Sequence, residues 1–218
     1  MLKAVVFDLD GTLLDTIPDI ANALNTALAA NHLPTHPTRA FEGFVGGGIR
    51  QAVVKASPAG TPEEVLEAVL AVYGPEYKAH CTEATQYYDG AQALLEGLEQ
   101  GGLKLGVLSN KTEATAQKVV GHYFPERSFA FVQGRVDGYP LKPDPGAAER
   151  MLDILGCAPS EIAYVGDSGT DMTFAKVCGF LAVAAPWGYR TREELLACGG
   201  EVMPNTPAEM LQELLKRK

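Results

Sequence analysis

No run of apolar residues in this chain approaches the length needed to cross a bilayer. Met1-Leu2-Lys3 leads straight into a strand-like run without the apolar core of a secretory signal, so a soluble, cytoplasmic protein with no membrane partner is expected. Cysteine is sparse and scattered. Cys81, Cys157, Cys178 and Cys198 form no Cys-x-x-Cys pair, which argues against a zinc site and leaves ordinary reduced thiols as the expectation. Histidine offers no Ser-His-Asp arrangement: of His32, His36, His80 and His122, only the first two are close, and Pro34 between them denies them a shared helical face. All four are assigned to helix ends and surface. Positive charge is also short, with 18 Lys and Arg against 27 Asp and Glu, a net charge of −9 and a pI near 4.9. That balance excludes nucleic acid and anionic membrane surfaces as main partners. A small anion stays compatible if its site supplies local positive charge. There is no internal repeat and no low-complexity segment.

What is present is an apolar strand that ends in acid. The 218 residues are 46% hydrophobic, enough for one domain of ordinary size or one domain with a small insertion. Leu2 to Phe7 is mostly apolar, with β-branched Val5 and Val6, and short enough to be a buried strand. It runs into Asp8 and Asp10, one residue apart. Desolvating a carboxylate is costly, so a metal cation or a chemical task is the usual reason to keep two of them there. Gly11 then permits a sharp turn and Thr12 offers a hydroxyl.

Residues 16 to 83 read as helical. Thr16 can cap a helix that tolerates Pro18 in its first turn and carries Ile20, Ala23, Leu24, Ala27 and Leu28 at helical spacing. A second helical region spans Thr38 to Phe44, and another runs from the Gly46-Gly47-Gly48-Ile49-Arg50 interruption to Ala56. A further helix opens at Thr61-Pro62-Glu63-Glu64, with a break or kink expected at Gly74-Pro75 before helix resumes towards His80.

From Tyr87 the pattern alternates. Helices are predicted at Ala91–Gln100, Glu113–Tyr123, Asp144–Leu155, Asp171–Val177, Arg192–Ala197 and Pro207–Leu215. Strands are predicted at Leu103–Leu108, Phe129–Val132, Ile162–Val165, Leu181–Ala185 and Glu201–Met203. Such alternation implies an α/β protein with a parallel sheet covered by helices on both faces. Asp8, Ser109 and Asp167 then each follow a strand, and ligands bind outside the C-terminal ends of strands in open α/β sheets.

Asp8-Leu9-Asp10-Gly11-Thr12 resembles the first motif of the haloacid dehalogenase-like superfamily, mostly Mg²⁺-dependent phosphohydrolases. Leu108-Ser109-Asn110, Lys142-Pro143-Asp144-Pro145 and Gly166-Asp167-Ser168-Gly169-Thr170-Asp171 resemble the remaining motifs, in the family's order. The tail Ala185-Pro186-Trp187-Gly188-Tyr189-Arg190 with Glu193-Glu194-Leu195-Leu196, and Asp15-Thr16, are similar to the phosphoglycolate phosphatase branch. The resemblance covers the whole chain. It implies a Rossmann-like catalytic core at residues 1–15 and 84–218, and an inserted helical cap, mobile over the site, at 16–83.

The resemblance implies Asp8 as nucleophile and Asp10 as general acid, then base. It implies Mg²⁺ held by the Asp8 side chain, the Asp10 backbone carbonyl and the Asp167 side chain. Gly11, Thr12, Ser109, Asn110 and Lys142 are the expected phosphate-binding residues, with Ser109 and Lys142 also catalytic. Asp171 either orients Lys142 or a metal-bound water, or caps the following helix. The glycines Gly46, Gly47 and Gly48 either admit a ligand close to the backbone or merely break a helix. Arg50 either pairs with a substrate carboxylate or is a solvated surface arginine. The expected partner is a small phosphorylated metabolite, 2-phosphoglycolate first, handled by a monomer or homodimer. A phosphomutase resembling β-phosphoglucomutase would use the same Asp8 and Asp10, and a non-catalytic phospho-aspartate switch would lack a use for so long a cap.

Overall fold

A computed structural model describes residues 1–218. The chain divides into two compact units, Met1–Leu14 with Tyr87–Lys218, and Asp15–Gln86. Strand β1 (Ala4–Phe7) is fully buried and opens the first unit. After it the Leu9 carbonyl accepts from the N–H groups of Thr12, Leu13 and Leu14, folding the acidic stretch into a tight loop before the short β2 (Leu14–Asp15).

The second unit is helical. Helix α1 (Ile17–Ala30) buries Ile20, Ala23, Leu24, Ala27 and Leu28, the stripe its spacing predicts. Thr16 holds the N-cap position, yet its side chain does not cap; Asp15 Oδ1 accepts the Ile17 N–H at 3.3 Å instead. Thr38–Gly43 winds as a 3₁₀ turn. Helix α2 is Ile49–Ala56, and α3 runs unbroken over Glu63–His80. The break expected at Gly74-Pro75 does not occur. Tyr73 and Tyr77 lie buried on either side of Pro75 and stack at 5.3 Å, so the packed face carries the helix across the missing N–H. Buried Asp19 anchors the end of this unit, accepting from Ala84 N, Thr85 N and Thr85 Oγ1 at 2.7–2.9 Å.

The chain re-enters the first unit through β3 (Gln86–Tyr87), which pairs with β2, and α4 (Ala91–Gln100). Then come β4 (Lys104–Thr112), α5 (Glu113–Tyr123) and β5 (Phe129–Arg135). The main sheet is completed by α6 (Glu149–Leu155), β6 (Ile162–Gly166), α7 (Gly169–Cys178) and β7 (Leu181–Ala184). Helices α8 (Arg192–Ala197) and α9 (Pro207–Leu215) close the chain. Five parallel strands are ordered β5-β4-β1-β6-β7, an α/β fold. Because right-handed crossovers run outward from β1 in both directions, α5 and α7 fall on opposite faces. One face is filled by Ala4, Val6 and Tyr164 of the sheet with Met151, Leu155, Met172 and Phe174 of α6 and α7.

Other elements differ from the sequence pattern as well, among them β5, which runs past Val132 to Arg135. Strand β4 extends past Leu108 because, after an irregularity, Thr112 pairs with Arg135. Residues Pro145–Ala148 form a 3₁₀ turn ahead of α6. Helix α7 begins at Gly169, two residues before Asp171, with Ser168 as its N-cap. The strand expected at Glu201–Met203 reduces to one bridge, Val202 with Val183. No helix is long and apolar enough to cross a membrane.

Candidate active site

Strand β1 is central, so the ends of β4 and β6 flank it, and Asp8, Ser109 and Asp167 meet at one edge of the sheet. The topology also reverses at β1, with later strands added on either side, and such a switch opens a crevice. Asp8, Asp167 and Asp171 are buried there, each offering a carboxylate oxygen within 4.8 Å of the others.

Lys142 answers this negative charge. Its buried Nζ lies 2.7 Å from Asp171 Oδ1, 3.2 Å from Asp8 Oδ1 and 2.7 Å from the Tyr164 hydroxyl. The Tyr164 hydroxyl in turn donates to the Leu108 carbonyl at 2.9 Å. The Lys142 backbone is clamped as well: Asn110 Oδ1 accepts its N–H and Asn110 Nδ2 donates to its carbonyl, both at 3.0 Å. Asn110, expected to bind phosphate, thus has its amide group engaged in holding the lysine loop.

Asp171 lies against Lys142, and it is not the N-cap of α7, a place that Ser168 takes. Asp171 occupies the third helical position of α7, where Oδ2 accepts the Ser168 N–H at 3.2 Å and the Ser168 hydroxyl at 2.5 Å. Its own N–H donates to Ser168 Oγ at 3.3 Å, closing a capping box. Oδ1 remains for Lys142.

Asp167 is held by the Tyr189 N–H, 2.8 Å from Oδ2, and by the Thr12 hydroxyl, 3.4 Å from Oδ1. The Trp187 indole N–H donates to the Thr12 carbonyl at 3.0 Å, tying the segment after β7 to the loop after β1. Gly11, at φ +82°, lets that loop pass so close that a Cβ there would meet Asp167 Oδ2 at 2.2 Å. Asp10 is half-buried and turns to Lys111, whose Nζ is 3.0 Å from its Oδ1. The metal role expected of Asp10 uses its backbone carbonyl and does not involve this pairing.

The electrostatics match a divalent cation. Burial, helped by Asp171 and Asp10 and opposed by Lys142 and the Leu9 N–H, pushes the Asp8 carboxyl up to about 7. Burial, then the charges of Asp171 and Asp8, raises Asp167 well above the ordinary carboxylate range. For Lys142 the attraction of Asp171 and Asp8 outweighs burial and keeps the ammonium charged. Lys142 faces Asp8 and Asp171 and Arg190 acts on Asp167, so three buried carboxylates still outnumber the cations near them, a set of hard oxygen donors that suits a divalent cation. Burial without a cation is costly for such a set.

Several of these partners have no motif to announce them. Tyr164 sits inside an apolar strand, Lys111 falls in what reads as a turn, and the Trp187 bond is made by side chain to backbone across 175 residues. In the helical unit, the Arg50 guanidinium is engaged by Glu63 and Glu67, a brace between α2 and α3. A substrate carboxylate would meet a guanidinium whose two terminal nitrogens each already hold a glutamate. Gly46 and Gly48 have positive φ, and Gly48 stands at the N-cap of α2, so this glycine cluster shapes the entry to that helix.

The chain matches the haloacid dehalogenase-like hydrolase family over residues 5–185. It is 31% identical over 209 residues to a phosphoglycolate phosphatase of Xanthomonas campestris pv. campestris, covering 95% of this chain and 94% of that one. It is 32% identical over 216 residues to the N-acetylmuramic acid 6-phosphate phosphatase of Pseudomonas aeruginosa, covering 98% and 95%. A crystal structure of a candidate phosphoglycolate phosphatase from Lactobacillus delbrueckii subsp. bulgaricus superposes with TM-score 0.92 at 29% identity, covering 97% of this chain and 98% of that one.

Proposed function

The chain belongs to the haloacid dehalogenase-like hydrolase family and is a phosphatase similar to phosphoglycolate phosphatases, and on that premise we propose that it is a Mg²⁺-dependent phosphomonoesterase working through an aspartyl-phosphate on Asp8. The observation that carries this reading is the convergence of Asp8, Asp167 and Asp171 within 4.8 Å, with Lys142 3.2 Å from Asp8.

In this reading Asp8 attacks phosphorus while the bond to the alcohol oxygen breaks, and Asp10 gives the departing oxygen its proton. Asp10 then takes a proton from the water that attacks the phosphorus of the aspartyl-phosphate, and Asp8 is released as carboxylate. Lys142 fixes Asp8 and offsets its charge, and the hydroxyl of Ser109, inside β4, serves a phosphoryl oxygen. Mg²⁺ held by Asp8, the Asp10 carbonyl and Asp167 would neutralise charge between the carboxylates and the phosphate. Gly11 and Thr12 keep the loop in place around Asp167. The helical unit, residues 15–86, takes the part of the cap.

For substrate, two relatives' names each join a phosphate ester to an acid, glycolate in one and N-acetylmuramic acid in the other. We therefore place 2-phosphoglycolate first and a phosphorylated sugar acid second. The test is phosphate release from 2-phosphoglycolate, N-acetylmuramic acid 6-phosphate, hexose phosphates and nucleotides, with Mg²⁺ and with EDTA. Mg²⁺-dependent release strongest on 2-phosphoglycolate supports the reading. Strongest release on another ester replaces the substrate and keeps the mechanism, and no release on any of them overturns the reading.

A further inference from the structure

The site holds two buried lysines, and they serve different carboxylates. Lys142 is taken up by Asp8, Asp171 and Tyr164. Lys111 reaches Asp10, Nζ to Oδ1 at 3.0 Å, with its side chain only 5% exposed against 19% for that of Asp10. A buried ammonium held against a partly exposed carboxylate loses side-chain freedom and hydration, so this pair is more than a surface ion pair.

The backbone of Lys111 is fixed in its turn. It lies near the end of β4, two residues past Ser109, whose hydroxyl accepts the Lys111 N–H at 3.3 Å. On the neighbouring strand, Gly134 allows the Lys111 carbonyl to come so close that a Cβ at 134 would lie 2.4 Å from it. Gly134 N–H donates to Glu113 Oε2 at 3.4 Å, and Glu113 is itself paired with Arg150. Lys111 therefore projects from a braced strand, not from a loose turn.

We propose that Lys111 is a positioning residue for the acid–base group: its ammonium holds the Asp10 carboxyl by Oδ1 in the place from which Asp10 passes the proton. The proposal rests on the phosphatase reading above. As the bond from Asp8 to phosphorus forms and the bond from phosphorus to the alcohol oxygen breaks, the Asp10 carboxyl proton moves to that oxygen. Lys111 faces the carboxylate that this transfer leaves behind. When water attacks phosphorus and Asp8 departs, the proton lost by water returns to the Asp10 carboxylate, and the cycle balances. A lysine acting this way matters most where the leaving group needs a proton.

The experiment compares wild type with Lys111→Met and Lys111→Arg on an alkyl phosphate, 2-phosphoglycolate, and on p-nitrophenyl phosphate, whose leaving group departs without one. The readout is kcat/KM, which reports the steps through formation of the aspartyl-phosphate. Lys111→Met is expected to lose on the order of a hundred-fold on the alkyl ester, the usual scale of a positioned proton donor, and far less on the aryl ester. Lys111→Arg is expected to restore most of the alkyl activity. In an Asp10→Asn background, Lys111→Met should add no further loss on the alkyl ester. Equal losses on both esters, or no loss, overturn the proposal while leaving the phosphatase reading in place. Turnover of neither ester by wild type removes that reading and the proposal with it. If the Met variant does not fold, Lys111→Gln gives the same comparison.

Discussion

The Lys142 ammonium lies 2.7 Å from Asp171 Oδ1, with both side chains almost wholly out of water. The pair is also where the cap of α7 meets the loop clamped by Asn110, so one contact couples two segments of the site. Replacing Lys142 with Met leaves Asp8 and Asp171 without their cation. Breaking such a buried pair from one side costs about 3–5 kcal/mol. Urea unfolding in EDTA should show a loss on that scale, whereas a loss within experimental error would mean that the carboxylates are compensated in some other way.

The pH behaviour of the metal-free protein follows from Asp8. Its carboxyl is raised from 3.8 to about 7, so the folded state holds a proton that the unfolded state has released. The stabilisation from that proton is complete below the unfolded value and is lost as pH rises through about 7. Asp8→Asn removes this titration. In EDTA the melting temperature of Asp8→Asn relative to wild type should therefore climb from pH 4 to pH 7 (the window set by those two values). A flat difference across that window would contradict the burial of Asp8 among other carboxylates.

Gly11 and Gly60 share φ +82°, but a Cβ at Gly11 would strike Asp167 Oδ2 at 2.2 Å while one at Gly60 meets nothing within 4 Å. Alanine at either pays the left-handed penalty of roughly 1–2 kcal/mol. Only Gly11→Ala should also displace Asp167 and cut phosphatase turnover severely. Gly60→Ala should keep wild-type turnover. Equal turnover in the two variants would separate Asp167 from the chemistry.

Asp19 shows how much of the molecule a single sequence can and cannot announce. Its place on α1 is plain from the helical spacing around it, but its partners, Ala84 and Thr85, lie 65 and 66 residues away. Asp8 and Asp167 were legible because each ends a short apolar run, where an acid has no structural excuse. Lys142 was legible through the resemblance of Lys142-Pro143-Asp144-Pro145 to a family motif. Lys111 was not, because Ser109-Asn110-Lys111-Thr112 has turn chemistry, and only pairing with β5 draws it into the strand. The continuity of α3 through Pro75 was hidden for a similar reason: tertiary packing of Tyr73 and Tyr77 overrides the local signal. Asn110 was expected to bind phosphate; in the structure its amide serves the Lys142 backbone, a contact between residues 32 apart.

Asp19→Ala should lower the unfolding free energy by about 1–3 kcal/mol, since it leaves buried donors without an acceptor. Hydrogen exchange at the amides of Ala84 and Thr85, which donate to Asp19 at 2.8 and 2.9 Å, should quicken first. Exchange unchanged at those amides would mean that they find another acceptor.

The central claim is that Asp8 carries the phosphoryl group, and trapping it is the most direct measurement. Enzyme mixed with ³²P-labelled 2-phosphoglycolate and Mg²⁺ should be quenched with acid within the first turnover, digested, and its peptides sequenced by mass spectrometry. The account predicts transient label on the peptide containing Asp8, absent from Asp8→Asn and absent in EDTA. Phosphate release at the wild-type rate by Asp8→Asn, or label on any other residue, would contradict it.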